Sequence, residues 1–270
     1  MQNETELDCQ VTAENSFGCV ELWAGNELAH RHVELVGLEG DLIAVPSDSK
    51  VGGDFYALFS CRADRAARIV LADSVGHGVA ASLIAAQIHS LIHRFRGLRD
   101  SSELLAALND EVTLAGQPSG SPLRLTTVIT ATFDRDTGEL NYAYAAHPRM
   151  ILWRARERHW YPLGKGLDGL PIGFIAGEFY TQQSIRIEPG DILLIFSDGA
   201  TDVFSLDGRF LGAEGFMELA NQTMTLLSPN VSLHAFAEAL VGAIRRFHGS
   251  DIFVDDLTLL TLRRSRLLTT

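Results

Sequence analysis

Apolar and polar positions along the chain follow two rhythms. Between residues 18 and 45, short apolar stretches are broken by turn chemistry at Gly25-Asn26 and Glu39-Gly40-Asp41, which predicts short strands. Residues 54–73 read as a hairpin, with 55–61 as one apolar strand, 63–65 as the turn and 68–72 as the return. The period then becomes helical. Val79, Leu83, Ala86, Ile88, Leu91, Ile92 and Phe95 give one apolar face that ends near Gly97. Ser101 or Ser102 suits the cap of a second helix, with Leu104, Leu105, Leu108 and Val112 as its stripe and Gly116 and Pro118 as its stop. The two helices are expected to pack as an antiparallel pair.

Strands return at 126–133 and 139–145, joined by Asp136-Thr137-Gly138, with Leu140, Tyr142 and Tyr144 on one face. Further strands are expected at 150–154, 184–187 and 192–196, and helices at 216–227 and 232–247. In the second helix Leu233, Phe236, Leu240, Ala243, Ile244 and Phe247 share a face. A strand at 257–262 closes the pattern, before a basic tail holding Arg263, Arg264 and Arg266. Strands are grouped instead of alternating with helices, which predicts an α+β class with antiparallel sheets, not a doubly wound fold. The expected layout is a flexible terminus over 1–15, one domain over 16–263 and a tail over 264–270.

Composition narrows the function classes. Of 270 residues, 46% are hydrophobic and 21% charged, which excludes a disordered or fibrous chain. A formal net charge of −12 opposes binding to nucleic acid or anionic lipid and suits carboxylate clusters that hold divalent cations, although an acidic surface also serves solubility alone. Cys9, Cys19 and Cys61 lack metal-type spacing and read as reduced thiols. The opening MQNETELDCQ has no basic region or apolar core, and the longest apolar run, 192–196, is too short to span a bilayer. A cytoplasmic location is expected.

Four acidic clusters fall at expected strand ends: Gly52-Gly53-Asp54, Asp73-Ser74-Val75-Gly76-His77-Gly78, Ser197-Asp198-Gly199-Ala200-Thr201-Asp202, and Asp255-Asp256-Leu257-Thr258. Asp54 and Asp73 begin and finish one hairpin, so they can be neighbours. Asp198 ends an apolar strand and Asp255 precedes another, and in antiparallel neighbours such ends lie side by side. Any one cluster alone reads as a strand or turn cap. Together they suit hard cations such as Mg²⁺ or Mn²⁺, two of which about 4 Å apart hydrolyse phosphate esters.

The stretches VGGDFYALF (51–59), LADSVGHGVAASLIAAQIHSLI (71–92), LTTVITATFDRDTGELNYAYAAHPRMILW (125–153), GLPIGF (169–174), IEPGDILLIFSDGATDVFSLDGRFLG (187–212) and DDLTLLTLR (255–263) carry a resemblance. The chain resembles the SpoIIE/RsbU-type branch of the metal-dependent protein phosphatase 2C superfamily. The resemblance implies an αββα sandwich of two antiparallel sheets between helix pairs. It also implies hydrolysis of phosphoserine or phosphothreonine with two divalent cations, Mn²⁺ or Mg²⁺. Matched position by position, Asp54 is the first metal-site acid, directly or through water, and Asp73 the acid bridging both metals. Ser74 is the position whose backbone carbonyl contributes. Asp198 is the acid of the Ser-Asp-Gly motif and Asp255 that of the final acidic pair, with Asp256 next should the register differ by one. Catalysis would rest on Asp54, Asp73, Asp198 and Asp255. Ser197, Thr201 and Asp202 are expected to support the Asp198 loop, with His77 as a candidate general acid or a loop residue.

The chain departs from the family at several points. Ala57 stands where GGDFYD ends in an acid, Asp73-Ser74-Val75-Gly76 exchanges two residues of Asp-Val-Ser-Gly, Ala146-His147-Pro148 replaces Gly-His-Pro, and Asp202 replaces Glu. All four metal acids are kept. His89 and His93, four apart on the first helix, form a possible metal pair but read as scaffold, and His147 as loop packing. Trp153, Trp160 and Tyr161 read as packing. The resemblance implies a phosphorylated STAS-type anti-anti-sigma factor as substrate, with self-association as a homodimer left open. With 51 residues before the GGDFY motif, regulation is expected from another protein, from oligomerisation or from ordering of the metal site. The alternative is an inactive pseudo-phosphatase that binds regulatory proteins. A diguanylate cyclase is disfavoured because Phe55, not an acid, follows Asp54.

Overall fold

The computed structural model describes residues 20–25, 27–47, 53–61, 65–76, 79–115, 125–227 and 232–265. Two six-stranded antiparallel sheets face each other. The first runs in the order β1 (Val20–Gly25), β4 (Asp54–Cys61), β5 (Ala66–Ser74), β6 (Thr126–Asp134), β7 (Glu139–Ala145), β10 (Gln183–Arg186). The second runs β2 (Ala29–Leu35), β3 (Leu38–Val45), β12 (Leu257–Arg264), β11 (Ile192–Phe196), β8 (Ile151–Arg154), β9 (His159–Pro162). Helices α1 (Val79–Arg94) and α2 (Ser101–Leu114) cover the first sheet, and α3 (Gly212–Leu226) and α4 (Leu233–His248) the second.

Strand alternation explains the layers. Along β4, Tyr56 and Leu58 join Leu42, Leu193, Ile195 and Leu260 between the sheets, while Phe55, Ala57 and Phe59 face α1 and α2. Every residue of β4 is buried, as expected where both faces are covered. The second sheet does the same, with Trp160, Phe196 and Leu259 packed against Phe216, Phe236 and Leu240.

Several expectations are corrected. The turn between β2 and β3 is Val36-Gly37, with Gly37 at φ 77°, and Gly40 lies inside β3, where a Cβ would stand 1.7 Å from the Thr261 carbonyl oxygen. The buried face of α1 is Ala81, Ile84, Ala85, Ile88 and Ile92, while Leu83 and Ala86 point to solvent. Asp100, not a serine, caps α2, accepting from the amides of Ser102 and Glu103. Strand β9 was not expected; it buries Trp160 but leaves Tyr161 exposed. Arg263 and Arg264 belong to β12 and not to a solvated tail. Arg263 pairs with Glu39 at 2.9 Å, and Arg264 is buried, donating to the Ile187 carbonyl and lying over the Phe133 ring. The Gly116–Pro118 stop, Cys9, Cys19 and Arg266 lie outside the described residues.

Candidate active site

The acids meet where the two sheets share one end. Asp54 opens β4 directly opposite Asp73 on β5, and Asp73 is in turn opposite Thr127 on β6. From the second sheet, Asp198 begins a single 3₁₀ turn (Asp198–Ala200) straight after β11, and Asp255 and Asp256 lead into β12. A hydrogen bond of 2.6 Å from Thr258 Oγ1 to Asp54 Oδ2 ties the sheets together at this point.

Asp256 has a different environment from Asp255. It is buried, and its two oxygens accept the amides of Ser47 (2.8 Å) and Gly53 (2.7 Å), so it straps the chain before β4 onto the start of β12. Asp255 is exposed, and its Oδ1 accepts the Asp256 amide at 2.8 Å. Ser197 donates to the Asp256 carbonyl (3.2 Å) and accepts from the Thr258 amide (2.9 Å), fixing the Asp198 turn against β12. Thr201 Oγ1 donates to the Asp198 carbonyl (3.1 Å) and lies 3.2 Å from Asp202 Oδ1, while the Asp202 amide donates to the Asp198 carbonyl at 2.7 Å. Ser74 is buried; its amide donates to the Gly53 carbonyl at 3.1 Å. A Cβ at position 53 would meet the Ser74 carbonyl oxygen at 2.3 Å and Asp73 Oδ1 at 2.7 Å, so only glycine lets the backbone approach these oxygens. His77 lies outside the described residues.

The electrostatics follow from this geometry. Burial and the charges of Asp198, Asp255 and Asp256 push Asp73 from 3.8 up to about 7. Burial and the charges of Asp255 and Asp202 push Asp198 to about 6. Burial and then the Asp73 charge hold Asp54 well above its ordinary range, against the hydrogen bonds of Thr258 and Ser197. Burial also raises Asp255. Asp54 Oδ1 and Asp198 Oδ1 are buried without a hydrogen-bond partner. Hard oxygen donors, mutual repulsion and unpartnered carboxylate oxygens are the features that divalent cations satisfy, so the residues fit such ions.

Beside Asp198 opens a cavity of about 420 Å³ lined in part by Thr127, His147, Arg149, Asp202 and Phe210. His147 is buried, and burial lowers it to about 3 against a hydrogen bond with the Phe196 backbone, so it is neutral. Its Nδ1 lies 2.8 Å from Thr127 Oγ1, next to Asp73 in register. Thr127, Arg149 and Phe210 had no sequence signal of their own; strand pairing and the loop after β11 bring them here. His89 and His93 lie away from the acids, on α1 beside Glu21.

Two antiparallel sheets between helix pairs, with acids gathered at one end, are the protein phosphatase 2C-like fold, shared with solved phosphatase domains of that class. Within that class the chain belongs to the SpoIIE family: residues 63–265 match the family of stage II sporulation protein E (SpoIIE). It is 25% identical over 224 residues to phosphoserine phosphatase RsbU of Bacillus subtilis, covering 82% of this chain and 62% of that one. It is 25% identical over 240 residues to protein IcfG of Synechocystis, covering 80% of this chain and 36% of the relative. It therefore spans only part of each of these relatives. The structure of the RsbU and RsbW domains of Rv1364c from Mycobacterium tuberculosis has the same fold, with a TM-score of 0.65 and 24% identity over 82% of this chain and 60% of that one.

Proposed function

We propose that the chain is a phosphoprotein serine/threonine phosphatase whose metal site is built by Asp54, Asp73, the Ser74 carbonyl, Asp198 and Asp255. The observation that carries this reading is the meeting of these acids with two buried carboxylate oxygens left unpartnered. Mn²⁺ or Mg²⁺ held there would neutralise phosphoryl oxygens and acidify water for direct attack on phosphorus. Asp73, at the centre of the mutual repulsion, is the acid best placed to contact two ions. Asp256 acts through Gly53, holding the backbone that brings the Ser74 carbonyl to Asp73. Ser197, Thr201 and Asp202 set the Asp198 turn. The cavity beside Asp198 receives the phosphorylated residue, and Arg149, held by Asp168 at 2.7 Å, offers a cation to the phosphate or its flanking chain.

Among the described residues no helix is long and apolar enough to cross a membrane. A phosphoserine on a STAS-type anti-anti-sigma factor is the substrate we favour, because the relatives include a phosphoserine phosphatase and a chain that joins RsbU and RsbW domains. The test is phosphate release from such a phosphoprotein with Mn²⁺, in parallel with p-nitrophenyl phosphate. We expect turnover of both, abolished by EDTA. Tight binding of the phosphoprotein with no phosphate release would favour a pseudo-phosphatase instead.

A further inference from the structure

A second group of metal-ligating side chains lies apart from the acids. His89 and His93 are four residues apart on α1, so both imidazoles leave the same face of the helix. Strand β1, at the edge of the first sheet, brings Glu21 to them. Glu21 Oε1 lies 2.5 Å from His89 Nε2 and 3.0 Å from His93 Nε2. One ligand atom from each residue falls within 4.8 Å of the others.

Ligands about 2.0–2.1 Å from a tetrahedral ion stand roughly 3.3 Å apart, so binding an ion would lengthen the Glu21–His89 contact by about 0.8 Å and the Glu21–His93 contact by about 0.3 Å. The rings are held in place. Trp23 stacks on His89 with centroids 4.0 Å apart, and Phe59 meets His93 edge-on at 5.4 Å. The side chains keep 15%, 39% and 27% of their exposure for His89, His93 and Glu21, so an ion can enter from solvent and keep a water. Burial alone would raise the Glu21 carboxyl, but the hydrogen bond of His89 and the charges of both histidines hold it below its ordinary value. His93 lies 14 residues into α1 from Val79, about 20 Å along the helix, so the trio is distinct from the acidic site.

We propose that Glu21, His89 and His93 bind a transition-metal cation, Zn²⁺ by preference, which clips the edge strand β1 to α1. Two imidazoles and one carboxylate with an open position suit Zn²⁺ and disfavour Mg²⁺. The proposal is independent of the phosphatase reading.

The test uses the full chain, stripped of metal and titrated with Zn²⁺ by calorimetry, with Co²⁺ as a spectroscopic probe. The wild type and Asp73→Asn should both bind an ion that gives the visible spectrum of nitrogen-ligated Co²⁺. His89→Gln and His93→Gln should each lose that spectrum. Their Zn²⁺ affinity at this site should fall by more than the roughly 10–100-fold that loss of an outer-shell partner costs. Glu21→Gln, of the same shape, should weaken binding while leaving the metal-free circular dichroism unchanged. His30→Gln/His234→Gln is the control, since His30, His234 and Glu238 form a more exposed cluster with contacts of 3.5–3.9 Å. Zn²⁺ binding and a Co²⁺ spectrum that survive both α1 substitutions, or that vanish only in the control, would overturn the proposal. So would a wild type that binds no ion beyond the acidic site, leaving the trio a hydrogen-bonded clasp.

Discussion

Adjacent acids with opposite environments make the sharpest test at the scale of single residues. Asp255 is exposed and raised, whereas Asp256 is buried with both oxygens satisfied by amides. Asp256→Asn would turn an NH₂ toward an amide donor. It should cost about 1–3 kcal/mol of stability by chemical denaturation. Asp255→Asn should leave stability nearly unchanged and weaken Mn²⁺ binding instead. The sequence left these two acids as alternatives because register alone cannot tell a strap from a ligand. The convergence of Asp54, Asp73 and Asp198 was legible because each stands at the end of an apolar strand with a glycine within three residues. For Asp73→Asn we expect turnover to fall at least ~100-fold, beyond the loss for an outer-shell partner, while the metal-free melting temperature holds or rises as repulsion is relieved. A sharp drop in melting temperature with turnover kept would make Asp73 a structural cap.

Periodicity located the elements well and assigned their faces less well. The hairpin of β4 and β5, the stripe of α2 and the strand β11 stand where the pattern placed them. Helix α1 does not follow its expected face, because it is rich in alanine and apolar on more than one side, and the sheet selects Ile84, Ala85, Ile88 and Ile92. Ile88→Ala should therefore cost about 2–5 kcal/mol and Leu83→Ala well under 1 kcal/mol, read by denaturant melts. Arg263 and Arg264 looked like a solvated end because charge dominates a single-sequence reading. The hydrogen bond of Arg264 to the Ile187 carbonyl depends on a contact with a distant loop that no local pattern reveals.

Across the whole molecule, the proposed metal site would couple folding to protons and to cations. With chelator present, Asp73 at about 7 and Asp198 at about 6 hold protons in the folded chain that the unfolded chain releases near 3.8. Stability should then fall as pH rises from about 4 to about 7, because the folded state binds more protons throughout that window. Melting curves across that range should show the decline in EDTA and a much smaller one with Mn²⁺, which replaces the protons and favours the folded state by mass action. Grouped strands made the α+β class with antiparallel sheets legible, and the αββα layering came with the family resemblance; the cavity wall of Thr127, His147, Arg149 and Phe210 was not legible, since it is assembled from separate elements of both sheets and their loops.

The most direct test of the metal centre is calorimetric titration of Mn²⁺ into the metal-free chain near pH 6, repeated in two buffers of different ionisation heat. The structure predicts saturable binding with release of protons, seen as a buffer-dependent heat, and a marked loss of both in Asp73→Asn. Binding heat that is absent, or equal in both buffers and unchanged in Asp73→Asn, would contradict it.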